Sequence, residues 1–479
     1  MDVKFGTSGL RGLADELLDR VAGVYTNAFC EYCRGYIQYE DKSPIFVARD
    51  LRESSPQITS VVLEEIHERG FEPVDCGAVP TPALAYFAMS RNAPSIMVTG
   101  SHIPADRNGL KFYLPAGEID KDDEIAITQL AEEQSGNVES RQIEPSSKSV
   151  QSIQAEVIDS FNFRYQNLLP AKALDGLSVG LWEHSSVAAP FLKKALESFG
   201  AKVVTFGRTE EFIPVDTEAL SDGTRVLLEE MAVDHKLDAI ISTDADGDRP
   251  LITDNSGRQI QGDLIGCITA EFLGAHAIAT PVTSNSAIGR SSGFDVLRTR
   301  VGSPYVIAAM QQLADSHTPD GSRIVAGFEA NGGFLLATDA HHCGKIVTAL
   351  PTRDSVLPIL AVLSRIAADG TDRLKHDFGF KHVFAGRIED FPQDKSAALM
   401  AWLGESRENL KKFMESHGGL AEVDLTDGFR ISTLDNRIVH LRPSGNAPEM
   451  RIYCEAESVE AARILFDKVR TETSNFQLG

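Results

Sequence analysis

Residues 63–77 read LEEIHERGFEPVDCG and residues 192–207 read LKKALESFGAKVVTFG. Each is a run at helical spacing, then a glycine, then a short β-prone run, and the likeness marks an internal repeat. Upstream of the first copy lie an apolar run at 44–48, a polar loop and an amphipathic stretch at 58–69. Upstream of the second lie an apolar run at 177–181 and a helix-like stretch at 191–199. Both therefore read as strand, loop, helix, strand. A weaker third copy runs from Thr280 through a helix-like 305–313 to a strand at 322–326. Units of this type build mixed or parallel sheets with helices on both faces, and ligands collect beyond the strand ends. The expected fold class is α/β, with several domains around one central cleft. The tail differs: 438–441 and 450–454 look like strands, and Val459, Ala462, Leu465, Phe466 and Val469 recur at helical spacing, so an α+β domain closes the chain.

With 479 residues, the chain is about three times a typical domain length, which predicts two to four domains. The polar stretch 135–154 is the clearest boundary, and a second falls near 369–372. Hydrophobic residues make up 42% and charged residues 24%, which excludes a collagen-like or wholly disordered chain. The charge is 46 basic minus 69 acidic, or −23, so nucleic acid and anionic membrane surfaces are repelled on average. An anionic substrate would need cations gathered in one place against that field. No run reaches the roughly 18 to 20 apolar residues of a membrane span, and no signal-peptide region precedes the opening Gly-rich motif, so a cytoplasmic location is expected. Six cysteines are too few for a disulfide framework; Cys30 and Cys33 form a CxxC with no second ligand pair and read as ordinary thiols.

Five loops carry the chemistry. Asp244-Ala245-Asp246-Gly247-Asp248-Arg249 follows the apolar run 239–241. Three carboxylates at alternate positions, with a glycine that lets the loop fold tightly, form an oxygen-rich cup for a hard divalent cation such as Mg²⁺. An EF-hand is disfavoured, because its glycine position is Arg249 and its closing Glu position is Asn255. Val98-Thr99-Gly100-Ser101-His102-Ile103-Pro104 also ends an apolar run, so Ser101 can present its hydroxyl and the turn its N–H groups. Asn108-Gly109-Leu110-Lys111 follows, a turn and then a cation.

Arg442-Pro443-Ser444-Gly445-Asn446-Ala447-Pro448 offers a guanidinium fork, a hydroxyl, an amide and backbone donors, which suit a phosphate monoester. A plain β-turn is the competing reading of that loop. Phe328-Glu329-Ala330-Asn331-Gly332-Gly333 sets a carboxylate and an amide in a Gly-rich turn that can bind sugar hydroxyls, and Phe5-Gly6-Thr7-Ser8-Gly9-Leu10-Arg11-Gly12 sets hydroxyls and an arginine on the opening loop. No dinucleotide fingerprint, P-loop or nucleophile elbow is present in the sequence.

These five segments, in this order, resemble the α-D-phosphohexomutase superfamily, and within it the bacterial phosphomannomutases and phosphoglucomutases. The resemblance spans Phe5 to Arg451. It implies four domains: 1–150 with a phosphoserine loop, 151–253 with a metal loop, 254–369 with a sugar loop and 370–479 with a phosphate loop. It further implies that Ser101 carries the phosphoryl group beside His102, and that Asp244, Asp246 and Asp248 hold Mg²⁺ together with an oxygen at Ser101. Lys111, Arg11 and Arg249 become the acid/base and charge-stabilising groups. Thr7, Ser8, Glu329, Asn331, Arg442, Ser444, Gly445 and Asn446 become substrate contacts, the last four gripping the phosphate that is not transferred.

The expected reaction interconverts mannose 6-phosphate and mannose 1-phosphate through a hexose 1,6-bisphosphate, which turns end for end before the serine is rephosphorylated. The expected partner is a small hexose phosphate, with no nucleic acid or membrane, on a monomer or homodimer. Phosphoglucomutase is the alternative, phosphoglucosamine mutase a lesser one; a haloacid-dehalogenase-like phosphatase and a non-enzymatic sugar-phosphate sensor stand for other classes. The sequence also departs from the usual motifs. Gly100 and Ile103 replace Ala and Asn of a TASHNP loop, Ala245 stands where Gly is usual, and Asn446-Ala447 stand for Thr-Glu. Gly333 stands where a second acid/base histidine is common, with His341 and His342 nearby reading as structural or surface residues.

Overall fold

The apolar run 44–48 becomes the strand Pro44–Arg49 because both faces of its sheet are covered, so a parallel central strand needs no polar alternation. The computed structural model describes residues 3–6, 9–134, 151–289, 293–316, 323–374, 378–444 and 448–476. The chain divides into two compact units, Met1–His276 with Gly302–Leu374, and Ala277–Val301 with Lys375–Gly479.

In the larger unit, the first sheet runs in the order Lys4–Phe5, Leu10–Leu13, Arg107–Leu114, Ser95–Val98, Pro44–Arg49, Glu72–Ala78. Pro44–Arg49 pairs parallel with both its neighbours, while Ser95–Val98 and Leu10–Leu13 pair antiparallel with Arg107–Leu114. The crossover helix Ser55–Glu68 buries Ile58, Val62 and Ile66, one face at i, i+4, i+8, against this sheet. The second sheet runs Pro250–Ile252, Ala239–Thr243, Ser178–Trp182, Lys202–Phe206, parallel except for its first pair. A third group, Val325–Phe328, Phe334–Leu336 and Leu350–Asp354, is antiparallel.

The glycine shared by the first two repeat copies has one cause. Helix Ser55–Glu68 ends with Gly70 at φ +86°, its N–H donating to His67 O at 3.0 Å and that of Phe71 to Ile66 O at 3.2 Å. Helix Ala189–Ser198 ends in the same way, with Gly200 at φ +93° donating to Glu197 O and Ala201 to Leu196 O. This double bond pattern needs a left-handed residue, and glycine adopts it without a Cβ penalty. The third copy appears as strand Ala277–Pro281, helix Ser303–Asp315 and strand Val325–Phe328, the last shifted from the expected 322–326 and residue 322 lying outside the described residues. Its first strand belongs to the smaller unit and the others to the larger. Of the expected linker 135–154, Gln154 opens helix Gln154–Tyr165, and 135–150 lie outside the described residues.

In the smaller unit, Ala277–Pro281 pairs parallel with Asp295–Thr299. An antiparallel sheet runs His382–Ile388, Met450–Ala456, Ile438–Pro443, Phe429–Ser432, Glu422–Asp424. Helix Val459–Ser474, capped by Ser458 accepting from Ala461 N, buries Leu465, Phe466 and Val469 in its core. This is the α+β closing domain read from the tail.

Cys30 and Cys33 are buried in helix Ala22–Gly35 with both thiols pushed up by burial, as ordinary core thiols. His342 stacks near the Phe272 ring and His341 is exposed on a two-stranded hairpin, matching their structural or surface reading. Among the described residues no helix is long and apolar enough to cross a membrane.

Candidate active site

Strand Ser95–Val98 delivers the Ser101 turn, and a buried arginine shapes it. Arg52 donates through Nη2 to Ser101 O at 2.8 Å and Ile103 O at 2.7 Å, and through Nη1 to Pro104 O at 2.6 Å and Arg107 O at 2.8 Å. Its Nε reaches Asp50 Oδ2 at 3.2 Å, and Asp50 also accepts from Ser55 Oγ and Thr99 Oγ1. The loop thus wraps one guanidinium that satisfies four carbonyls. Gly100 follows from this: a Cβ there would lie 2.8 Å from Arg52 Cζ. Ser101 itself sits at φ +54°, a conformation that costs a non-glycine residue free energy and persists only where the surroundings fix it.

The acidic loop follows strand Ala239–Thr243. Asp244, Asp246 and Asp248 are buried and offer carboxylate oxygens within 4.8 Å of one another. Gly247, at φ +74°, passes so close to Ala188 that a Cβ would lie 2.9 Å from its Cβ. The N–H groups of Asp248 and Arg249 donate back to Asp244 Oδ1. The two loops meet where Ser101 Oγ donates to Asp244 Oδ2 at 2.6 Å, across 143 residues of sequence.

Cations surround this pair. Lys111 Nζ lies 2.6 Å from both Asp246 Oδ2 and Asp248 Oδ2. Arg249 Nη1 donates to His102 Nδ1 at 2.9 Å, and its Nε lies 3.7 Å from Asp248 Oδ1. Arg11, on strand Leu10–Leu13, is pushed down to about 10 by burial and by Arg249 and Arg353. Burial, Arg249 and Arg11 also push His102 far down, so its imidazole is neutral and accepts from Arg249. Burial opposes the Lys111 charge, but Asp246 and Asp248 outweigh it and hold the ammonium above its ordinary value. Burial raises the Asp248 carboxyl, yet Arg353, Lys111 and Arg249 together pull it below the usual carboxylate range. Asp244 goes up, through burial and then its two neighbouring carboxylates.

Glu329 and Asn331 stand in the turn between Val325–Phe328 and Phe334–Leu336, closed by Gly332 N donating to Glu329 O at 2.9 Å. Asn331 Oδ1 accepts from Gly333 N at 2.9 Å, so that oxygen shapes its own loop. Glu329 Oε2 meets Arg353 Nη1 at 3.3 Å. Ser101, His102, Lys111, Arg11, Arg249, the three aspartates and Glu329 are therefore one electrostatic cluster.

Thr7, Ser8, Gly445 and Asn446 lie outside the described residues. Arg442 and Ser444 belong to the smaller unit, where Arg442 Nε donates to Asp427 Oδ2 at 2.8 Å and Ser444 N to Glu449 O at 2.9 Å. Sequence reading missed Arg353, the Asp50–Arg52 brace, and Thr81, whose Oγ1 donates to Asp246 Oδ2 at 2.6 Å. Only Asp50-Leu51-Arg52, a charged pair just after an apolar strand, carried a usable signal.

The acidic loop fits a hard divalent ion: Asp246 Oδ1 and Asp248 Oδ1 are buried without a hydrogen-bond donor, and the donor set is oxygen only. A serine hydroxyl hydrogen-bonded to such a loop and ringed by fixed cations is an arrangement suited to phosphoryl transfer on an α/β scaffold.

Comparison with known proteins gives that class its family. Four models match in order: the phosphoglucomutase/phosphomannomutase alpha/beta/alpha domains I (residues 2–137), II (155–257) and III (261–376), and the C-terminal domain (406–472). A phosphomannomutase of Sinorhizobium fredii (strain NBRC 101917 / NGR234) is 47% identical over 97% of each chain. One of Salmonella muenchen is 39% identical over 96% of this chain and 93% of its own. A phosphoglucomutase/phosphomannomutase family protein from Burkholderia thailandensis shares the fold, with a TM-score of 0.73 at 21% identity over 98% of each chain. The chain belongs to the phosphoglucomutase/phosphomannomutase family and is a four-domain α/β phosphohexomutase.

Proposed function

We propose that the protein is a Mg²⁺-dependent phosphomannomutase that interconverts mannose 6-phosphate and mannose 1-phosphate through a phosphorylated Ser101 and a hexose 1,6-bisphosphate. The contact that carries this reading is Ser101 Oγ to Asp244 Oδ2 at 2.6 Å, both groups buried. The phosphomannomutase names of two near-full-length relatives favour the manno substrate. The neighbouring readings, phosphoglucomutase and phosphoglucosamine mutase, use the same chemistry and become outcomes of the assay below.

Charge balance supports the assignment. Asp244, Asp246, Asp248 and Glu329 face Lys111, Arg249, Arg353 and the partly buried Arg11, so the cluster is near neutral. A phosphoserine adds about −2, which a divalent cation cancels. Asp244, Asp246, Asp248 and an oxygen at Ser101 would hold Mg²⁺, whose charge stabilises the phosphoryl oxygens.

In the forward half-reaction, the free hydroxyl of the hexose phosphate attacks phosphorus, forming a new O–P bond as the bond to Ser101 Oγ breaks. The Lys111 ammonium gives a proton to the departing Ser101 oxygen while the attacking hydroxyl gives up its own to solvent water, and the return half-reaction reverses both transfers. Arg249, oriented by neutral His102, and Arg11 face the negative charge that spreads over the transferred group. Glu329 and Asn331 contact sugar hydroxyls, with Thr7 and Ser8. Arg442, Ser444, Gly445 and Asn446 hold the phosphate that stays, and the reaction runs in the cytoplasm on a monomer or homodimer. The four domains are taken as 1–150, 151–253, 254–369 and 370–479.

The test is turnover on mannose, glucose and glucosamine 1-phosphates, each primed with its bisphosphate, together with intact mass. Fastest turnover of mannose 1-phosphate, with a phosphate mass on Ser101, supports the reading. Phosphate trapped on an aspartate, or no turnover of any of the three, overturns it, and fastest turnover of another sugar moves the assignment to that mutase.

A further inference from the structure

We infer that Arg353 is the positioning residue that ties the sugar loop to the acidic loop, and that residue 333 is glycine in order to admit it. Arg353 is the next-to-last residue of the strand Leu350–Asp354, which pairs antiparallel with Phe334–Leu336, the strand leaving the sugar loop. Its side chain is 2% exposed. Nε donates to Asp248 Oδ2 at 3.0 Å and Nη1 to Glu329 Oε2 at 3.3 Å, so one guanidinium spans a carboxylate from each loop. Asp248 and Arg353 are 105 residues apart in sequence. A planar fork with several fixed N–H directions reaches two such acceptors at once, and an ammonium on a flexible stem holds them less firmly.

Gly333 supplies the independent observation. A Cβ there would lie 2.6 Å from Arg353 Cδ and 2.8 Å from Arg353 Cγ. Its backbone is not among the left-handed glycines, unlike Gly332 at φ +85°, so conformation does not demand glycine at 333. The tightest demand is the path of the Arg353 stem, with Asn331 Oδ1 next at 3.0 Å. Residues 333 and 353 are thus one unit: any side chain at the first displaces the second. With Arg353 in place, Glu329 Oε2 is committed and its turn is fixed by Glu329 N to Gly333 O at 3.2 Å, which orients the carboxylate before sugar arrives. Asp248 Oδ2 is shared between Arg353 and Lys111, which leaves Asp248 Oδ1 facing the acidic loop.

This inference rests on Glu329 being a sugar contact, as proposed above. The positioning role therefore shows in sugar affinity more than in phosphoryl transfer. Arg353→Ala and Gly333→Ala are each expected to raise KM for mannose 1-phosphate by about tenfold or more, the range of one charge-assisted hydrogen bond, with kcat within about threefold. Arg353→Lys should recover part of the loss. The double variant Gly333→Ala/Arg353→Ala should be little worse than Arg353→Ala and well short of additive, because the new methyl then meets only Asn331 Oδ1, at 3.0 Å.

Unchanged KM in Arg353→Ala, losses that add in the double variant, or kcat falling at constant KM would overturn the inference. Titration of mannose 6-phosphate into Ser101→Ala protein carrying the same substitutions reads affinity without turnover. Thermal unfolding of the four proteins gives the 333–353 coupling without substrate. Should wild type turn over no hexose phosphate, the functional reading fails, and absence of that thermal coupling would separately sink the pairing.

Discussion

The acidic loop of the larger unit and the Arg442 strand end of the smaller unit follow opposite electrostatic plans. Around Asp244, Asp246 and Asp248, the aspartates, Lys111, Arg249 and Arg353 are buried, and each of these three cations is shared between two carboxylates. At Arg442 the guanidinium pairs with Asp427 at 2.8 Å, and both side chains keep some exposure. A buried charge network fixes the positions of its members before any ligand arrives, since moving one leaves another unpaired in a low-dielectric setting. A partly exposed single pair is cheap to exchange for another anion, because solvent already screens it. The first plan suits chemistry that depends on placement; the second suits capture and release of a phosphate.

Four measurements break or sharpen that contrast. Ser101→Ala should lower turnover by a factor on the order of 10⁴ or more while the fold persists, because the hydroxyl is the proposed phosphoryl carrier. Near-normal turnover, read beside an unchanged far-UV spectrum, would contradict the assignment. Lys111→Met leaves Asp246 and Asp248 short of their shared cation and should destabilise the protein in chelator by about 3 to 5 kcal/mol. Added Mg²⁺ should restore much of it, because a divalent ion meets the same carboxylates; chemical denaturation with and without the metal reads both, and indifference to the metal would mean the loop does not bind it.

Arg442→Ala should weaken hexose-phosphate binding by about 2 to 4 kcal/mol. Its stability should fall by no more than about 1 kcal/mol, the scale of a partly exposed pair. A melting point that collapsed as far as in Lys111→Met would erase the contrast between the two regions.

The smallest effect belongs to His440, beside the Arg442 strand end. Its Nε2–H donates to Asp427 O at 2.6 Å, its Nδ1 is buried without a donor, and burial pushes the imidazole down to about 4. The unfolded chain takes up a proton near pH 6.5 that the folded chain refuses until about pH 4, so stability is complete above 6.5 and declines as pH falls through that window. By pH 5 this single group should contribute a loss of about 1 to 2 kcal/mol, which His440→Phe should remove from the slope of unfolding free energy against pH. An unchanged slope would show that His440 is not neutral in the folded state.

Much of the scaffold was legible because its signals are local. Helix Ser55–Glu68 and helix Ala189–Ser198 announce themselves by apolar spacing and by the glycine each needs at its end. The acidic loop was legible for a similar reason, since three carboxylates at alternate positions after a buried strand can all face one point. Arg353 was not, because nothing in its neighbours reports which carboxylates it will meet, and of the Arg52 brace only the nearby Asp50 was visible, not the four carbonyls. The neutral state of His102 was hidden too, as it follows from burial and then from Arg249 and Arg11 arriving from distant segments.

The ordered motifs, through their resemblance to a known family, pointed to an α/β phosphohexomutase with a candidate serine and a sugar loop, while the carboxylate cup was readable from spacing alone, a property of a short stretch. Folding decided that Ser101 meets Asp244, that Lys111 bridges two aspartates, and that the volume at Gly333 belongs to an arginine. Those facts depend on pairing free energies in a dry interior, which exist only once segments more than a hundred residues apart have been brought together.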